Sequence, residues 1–372
     1  MSDVLILGAS ARAAIHSARR AGLTPHAIDL FADRDATAYA TVLECDLADY
    51  PDGLERLADT FEPMPWLFTG GLENHPDLVD RIAAKRPLLG NAGDVLRMVR
   101  GKAGLRRLLK VMPPMPRVVV KHSGDPSVRW VRKSFGSSGG MGVTWATDLA
   151  PRAGTYLQEF VPGTCYSAAL ATKGNTVSLL GVTEQLVGTE WLHAKPFQYA
   201  GSLGPVWPTD SFHEELMMDC PSATSVGVNV QGPWGLDLIA RDGTPLLIDF
   251  NPRYTASMEL IEHSTGRSVF DGKKMRGKGS EDIFGKAVYY APHALRFPEV
   301  TAIERAIAVA ADPWALPEYA DIPAVGGVID AGQPVLSFFE RAADAEACRA
   351  ALKRRAAELD ALLARHRVGV SP

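Results

Sequence analysis

The chain opens on an apolar run, Val4-Leu5-Ile6-Leu7, that breaks at Gly8. Consecutive apolar residues without alternation predict a strand buried on both faces, as in a parallel sheet. An Ala-rich stretch from Ala13 to Ala21 then predicts a helix that Gly22 stops. His26 to Leu30 and Pro65 to Thr69 read as further strands, and Leu88-Leu89 before Gly90-Asn91 as a short one. Asp94 to Lys110 reads as a helical stretch carrying Lys102. Strands alternating with helices predict a doubly wound α/β domain over residues 1–110.

The pattern changes after Val111-Met112-Pro113-Pro114-Met115-Pro116, which ends any helix and marks a boundary. Val118 to Lys121, Arg129 to Lys133, Tyr156 to Phe160, Ser167 to Thr172 and Thr176 to Leu180 read as strands joined by Gly-containing turns. Leu236 to Ala240 and Pro245 to Phe250 flank Arg241-Asp242-Gly243-Thr244, a hairpin with Asp-Gly at its tip. Residues 111–266 therefore form an α+β core with antiparallel strands. Residues 267–372 read as a C-terminal extension: a loop with Lys273, Lys274, Arg276 and Lys278, strands within Val325 to Phe339, and a charged helix from Arg341 to Arg367.

Composition narrows the function classes. The 372 residues are 46% hydrophobic and 22% charged, ordinary for a globular protein. Lys plus Arg is 39 against Asp plus Glu at 43, so no basic excess exists to neutralise a nucleic-acid backbone. No apolar run approaches the roughly 18 residues of a membrane span, and MSDVLILGAS has no basic n-region, so neither a membrane nor a signal peptide is expected. Cys45, Cys165, Cys220 and Cys348 form no CxxC pair, so a reducing cytoplasm is the expected location.

Three stretches carry candidate chemistry. Gly8-Ala9-Ser10-Ala11-Arg12, with Asp29 ending the next strand, sits where a dinucleotide fingerprint would fall but has one glycine of three. In Arg132-Lys133-Ser134-Phe135-Gly136-Ser137-Ser138-Gly139-Gly140-Met141-Gly142, a strand delivers a lysine to a loop of small residues. Backbone N–H groups of such a loop can close over a polyphosphate whose charge the lysine neutralises; on composition alone it also reads as a flexible hairpin. Asp249 and Asn251 alternate by two and share a face, and the hairpin brings Asp237 beside them. Two carboxylates and an amide oxygen suit Mg²⁺, and Arg253 next to them offers a fork for a phosphoryl group.

In their order, Lys102, the Lys133–Gly142 loop, Gln158 to Val161, Asp237 and Asp249-Phe250-Asn251-Pro252-Arg253 resemble the ATP-grasp superfamily. The resemblance implies a pre-grasp domain followed by an ATP-grasp fold. It implies that Lys102 and Lys133 contact ATP phosphates, and that Gly136, Ser137, Ser138, Gly139, Gly140 and Gly142 cover them. Glu159, Phe160 and Val161 would read adenine through the backbone, and Asp237, Asp249 and Asn251 would hold Mg²⁺. Arg253, with Lys133, would act on the transferred phosphoryl group. Gly70-Gly71-Leu72-Glu73-Asn74 resembles the Glu-Asn loop of biotin carboxylase-like members; Arg12, Glu73 and Asn74 are candidates to face the active site across the domain boundary, and Tyr199 is a candidate for the acceptor pocket. Cys165 stands where many members carry a ribose-binding Glu, and Asp249 replaces a commoner Glu.

The implied activity is an ATP-dependent carboxylate–amine ligase working through an acyl phosphate on small-molecule substrates, with a homodimer allowed for. Three stretches, Gly70 to Pro76, Glu184 to Gly188 and Phe197 to Pro205, are also similar to a group tied to methanofuran and tetrahydromethanopterin one-carbon metabolism, with a tyramine–glutamate ligase among its members. The alternatives are a bicarbonate-using ATP-grasp carboxylase, an NAD(P)-binding oxidoreductase built on Gly8 to Arg12, and a non-catalytic ATP-binding subunit.

Overall fold

The first apolar run forms strand β1 (Asp3–Leu7), and the Ala-rich stretch forms α1 (Arg12–Arg20). The chain continues through β2 (Thr24–Asp29), α2 (Arg34–Thr37), β3 (Thr41–Glu44), α3 (Asp52–Ala58), β4 (Trp66–Phe68), α4 (Pro76–Ala83) and α5 (Gly93–Val99). The four strands pair in parallel in the order β3-β2-β1-β4. That is the winding expected from the alternation of strands and helices. Leu88 makes only an isolated parallel bridge to Trp66. The sequence pattern misses β3, whose four residues are exposed or half-buried and show no apolar run. This computed structural model describes residues 2–101, 104, 114–121, 123–209, 212, 214–216, 229–270 and 280–369. Lys102 and the basic loop at 272–279 lie outside the described residues.

Two antiparallel sheets follow. The smaller holds β5 (Val118–Val119), β6 (Trp130–Ser134), β7 (Val143–Trp145) and β8 (Thr155–Glu159) in the order β5-β8-β6-β7. The larger begins with β9 (Cys165–Lys173), β10 (Thr176–Val187), β11 (Tyr199–Gly204), β12 (Gly232–Arg241) and β13 (Thr244–Asn251), and α6 (Met258–Thr265) comes next. Beyond α6 lie β14 (Ile283–Tyr290), β15 (Leu295–Arg296), α7 (Thr301–Val309), β16 (Tyr319–Ala320), β17 (Val328–Ile329), β18 (Pro334–Ala342) and α8 (Ala345–Leu363). The large sheet has eight strands in the order β13-β12-β9-β10-β11-β14-β18-β16. Residues after 267 thus add β14, β18 and β16 to the core sheet and are no separate layer. The terminal helix starts later than its charge pattern suggests. Arg341 still pairs with Phe284 in the β14–β18 ladder, and Asp344 caps the helix by accepting from the Ala347 N–H at 2.8 Å. Among the described residues, no helix is long and apolar enough to cross a membrane.

Helices α1 and α6 meet along a seam of buried ion pairs. The Arg12 guanidinium donates in a fork to both Glu259 carboxylate oxygens, and its Nε donates to Asp321 Oδ1 at 2.8 Å. Lys286 donates to Glu259 Oε2 at 3.0 Å. One turn along α6, Arg20 Nε donates to Glu262 Oε2 at 2.9 Å. Burial alone would push the Glu259 carboxyl up, but Arg12 and Lys286 outweigh it and hold the group well below the usual carboxylate range. His16 sits in the same seam, 5% exposed. Burial first, then Arg12 and Arg20, lower its pKa to about 3, so the ring is neutral.

Removing one partner of such a pair leaves the others as buried uncompensated charges. Glu259→Ala is expected to lose about 3–5 kcal/mol of stability in denaturant unfolding; a loss below about 1 kcal/mol would mean that the seam contributes little. His16 has a folded pKa below its unfolded value, so its contribution is complete above pH 6.5 and is lost as pH falls toward about 3. The stability difference between wild type and His16→Gln should therefore shift against wild type by about 1.4 kcal/mol per pH unit in that window. A pH-independent difference would refute a neutral His16.

Candidate active site

The β12–β13 hairpin builds the acidic centre. Its register sets Asp237 directly opposite Asp249, and a bulge follows Asp237. Asn251, two residues on, donates from Nδ2 to Asp237 Oδ2 at 3.0 Å. Gln185 on β10 donates to Asp237 Oδ1 at 2.8 Å. Burial, and next the neighbouring Asp249 charge, push the Asp237 carboxyl up to about 6. Two facing carboxylates with one amide oxygen are a hard-oxygen donor set short of positive charge, and that fits a divalent cation. Among the described residues no group of three or more His, Cys, Asp or Glu side chains is placed to hold a metal. Any cation here would therefore take its remaining ligands from water or phosphate, as Mg²⁺ commonly does.

Arg253 lies where the hairpin leaves the sheet. Its Nε donates to Glu73 Oε1 at 3.0 Å, and its Nη2 donates to Ser138 Oγ at 3.0 Å and to Asn251 Oδ1 at 3.2 Å. Glu73 belongs to a short 3₁₀ turn, Leu72–Asn74, just past β4, and is 0% exposed. It also accepts from the Gly71 N–H at 2.6 Å and from Ser138 Oγ at 3.1 Å. Burial would raise its pKa, but Arg253 and then Arg100 outweigh this and hold it below the ordinary value. The N-terminal α/β domain, the glycine loop and the acidic hairpin thus converge on one guanidinium.

Lys133 ends up half-buried on β6. Its Nζ donates to the Ile248 carbonyl at 2.6 Å and lies 5.9 Å from the Tyr156 ring centre. Burial lowers its pKa, but Tyr156, Asp249 and Asp237 outweigh burial, so the ammonium is retained. Between the two sheets lies an open cleft. Val99, Met115, Tyr156, Leu247 and Phe250 line it, with Arg100, Lys133 and Asp249 as its charged groups. An apolar slot with charges grouped together matches a ring attached to a charged tail. The glycine loop folds down beside it. The Tyr199 N–H donates to the Gly139 carbonyl at 3.1 Å. At Gly140, with φ +79°, a Cβ would lie 1.9 Å from the Phe197 carbonyl oxygen, so no other residue fits without movement.

The remaining candidates differ in their placement. Glu159 turns its carboxylate outward to Arg117 at 3.0 Å and Arg241 at 3.3 Å. The N–H groups of Glu159 and Phe160 donate to the Arg117 and Arg129 carbonyls. With Val161, these residues do not line the cleft. Arg12 is 1% exposed in the seam and has no place at Arg253. The Tyr199 hydroxyl pairs with Ser202 Oγ at 2.9 Å, and Asn74 accepts from Arg100 at 3.1 Å. Burial, then Asp237, push the Cys165 thiol up to about 11, so it is no thiolate nucleophile. Asp29 accepts from the Ala11, Phe31 and Ala32 N–H groups and is 0% exposed. It holds a turn and is shut off from any ribose, which removes the support for a dinucleotide site. Sequence reasoning missed Arg100, because a lone arginine after a helix carries no motif. The pairing of Gln185 with Asp237 is set by strand register and is equally silent in sequence.

Residues 101–257 match the ATP-grasp domain family. No curated protein matches the sequence. Among solved structures, an L-amino acid ligase from Bacillus licheniformis is similar with a TM-score of 0.67 and 14% identity, covering 96% of this chain and 97% of that one. A phosphoribosylamine–glycine ligase from Thermotoga maritima gives 0.64 and 18%, covering 96% of each chain. A biotin carboxylase from Campylobacter jejuni gives 0.65 and 11%, covering 94% of this chain and 89% of the other. At these identities the likeness carries the fold. The fold is thus an ATP-grasp domain behind a doubly wound pre-grasp domain, as expected from the sequence, and the protein is an enzyme.

Lys133→Ala and Asp249→Ala should each lower turnover by about 10²-fold or more, since each removes a fixed charge from a low-dielectric site. Circular dichroism should show both folded. Near-wild-type rates in either folded variant would overturn the assignment of the cleft.

Proposed function

We propose that this ATP-grasp enzyme joins a carboxylate to an amine, forming an amide with release of ADP and phosphate. The observation that carries the reading is that Lys133 and Asp249 line one cleft, with Asp237 opposite Asp249 and the Glu73-paired Arg253 joined to Asp237 through Asn251. Asp237, Asp249 and Asn251 would hold Mg²⁺, which when bound supplies positive charge against the phosphate oxygens. Lys133, kept as an ammonium by its acidic neighbours, neutralises phosphate charge at the cleft. Arg253, oriented by Glu73, presents its fork to the transferring phosphoryl group and to the acid.

In the first step a substrate carboxylate oxygen attacks the γ-phosphorus and ADP leaves. In the second the amine attacks the acyl carbon, and phosphate departs with the former carboxylate oxygen. The glycine loop, tied by Ser138 to Arg253 and Glu73, keeps water from the acyl phosphate between the steps. An amino acid, with glutamate foremost, is the proposed acid. A place in methanofuran- or tetrahydromethanopterin-type cofactor synthesis rests on the three resembling stretches alone. The cytoplasm is the proposed location, in keeping with free Cys45, Cys165 and Cys348.

The test uses purified protein, Mg²⁺, ATP and an ¹⁸O-labelled acid, screened against amines. Phosphate release should require both acid and amine, and the phosphate should carry one ¹⁸O. Release without label, or no ADP with any pair, would sink the proposal. ADP formation that needs bicarbonate in place of the acid would favour the carboxylase.

A further inference from the structure

We propose that Arg100 is a further phosphate-binding residue of this site: the counter-ion of Asp249 in the nucleotide-free protein, it passes to the phosphate oxygens when a magnesium nucleotide binds. The inference rests on the nucleotide in the ligase reading above, and not on the identity of the acid or amine.

The backbone first sets Arg100 apart. Helix α5 stops at Val99, and Arg100 takes an extended conformation with φ −97° and ψ 155°. Gly101 follows with φ +79°, turning the chain sharply away. The side chain is left to reach inward, 12% exposed. Its Nη1 donates to Asp249 Oδ1 and to the Phe250 carbonyl, both at 3.2 Å. Its Nη2 donates to Asn74 Oδ1 at 3.1 Å and to the Ser137 carbonyl. One guanidinium therefore bridges the pre-grasp loop, the glycine loop and the acidic hairpin.

Two features suit it to a change of partner. The Asp249 contact is longer than the roughly 2.7–2.9 Å of a tight charge-assisted bond. The Arg100 Nε is buried with no hydrogen-bond partner among the described residues, so the fork has an unused donor inside the site. Arg100 and Lys133 both line the cleft together with Asp249. A cation at Asp249 and a cation at Arg100 exclude one another, so a divalent ion that takes the carboxylate frees the guanidinium. A planar fork matches phosphate oxygens as well as it matches a carboxylate.

A residue that only braced the loop would make both metal and nucleotide bind less well when removed. The proposed role gives opposite signs. In the full chain, Arg100→Gln should weaken magnesium-ATP binding by about tenfold or more in calorimetry, the loss of one charge-assisted contact. The same variant should tighten Mn²⁺ alone, read by electron paramagnetic resonance without nucleotide, by about threefold. Arg100→Lys should fall between wild type and Arg100→Gln in ATP affinity, and it serves as the test if the glutamine variant does not fold. ATP affinity within about twofold of wild type, or Mn²⁺ binding weakened alongside ATP, would overturn the inference. Wild-type protein that binds no ATP would overturn the ligase reading before the variants are compared.

Discussion

The buried seam between α1 and α6 is the constraint on which the arrangement depends. Apolar contacts can slide at modest expense, whereas a bidentate guanidinium–carboxylate pair admits one geometry. Arg12 and Arg20 each grip a glutamate of α6, and Lys286 on β14 and Asp321 just past β16 close the network. Desolvating so many charges is unfavourable unless every one is met. The pre-grasp domain is thereby locked in one orientation against the large sheet. Because α6 starts at Met258, a few residues after Arg253, that lock also sets where Arg253 points.

From this follows the pairing of Glu73 with Arg253. Each is buried and would be unfavourable alone, yet together with Ser138 they form a satisfied cluster at the meeting of three segments. The pair keeps the arginine charged and oriented without a ligand. The acidic hairpin is the opposite case. Asp237 and Asp249 face one another with amide donors around Asp237, and with Arg100 and the Phe250 N–H on Asp249. The site is therefore electrostatically complete around Arg253 and short of positive charge around Asp237.

The glycine loop connects these regions. Its Ser137 carbonyl meets Arg100, its Ser138 hydroxyl meets Glu73 and Arg253, and its Gly139 carbonyl meets Tyr199. Small residues are needed because the backbone itself makes the contacts, as the approach of Gly140 to Phe197 demonstrates. Lid position, acid cluster and pre-grasp domain are thus coupled through side chains that each serve two segments.

Much of this was legible in the sequence. Unbroken apolar runs marked β1 and β4, and the Asp-Gly tip marked the β12–β13 hairpin with its acids on one face. The lysine and glycine loop also stood out, because a motif is a local pattern of residue types. What the sequence left open was long-range: that Arg12 faces Glu259 in a seam instead of a substrate, that Glu159 turns outward, that Arg100 reaches Asp249, and that the C-terminal strands complete the large sheet. Local composition determined the elements and the chemistry each could carry. Partners in buried ion pairs lie hundreds of residues apart, as 247 separate Arg12 from Glu259. Only the tertiary structure decided them, because burial makes an unpaired charge too unfavourable to tolerate and so selects the packing that pairs it.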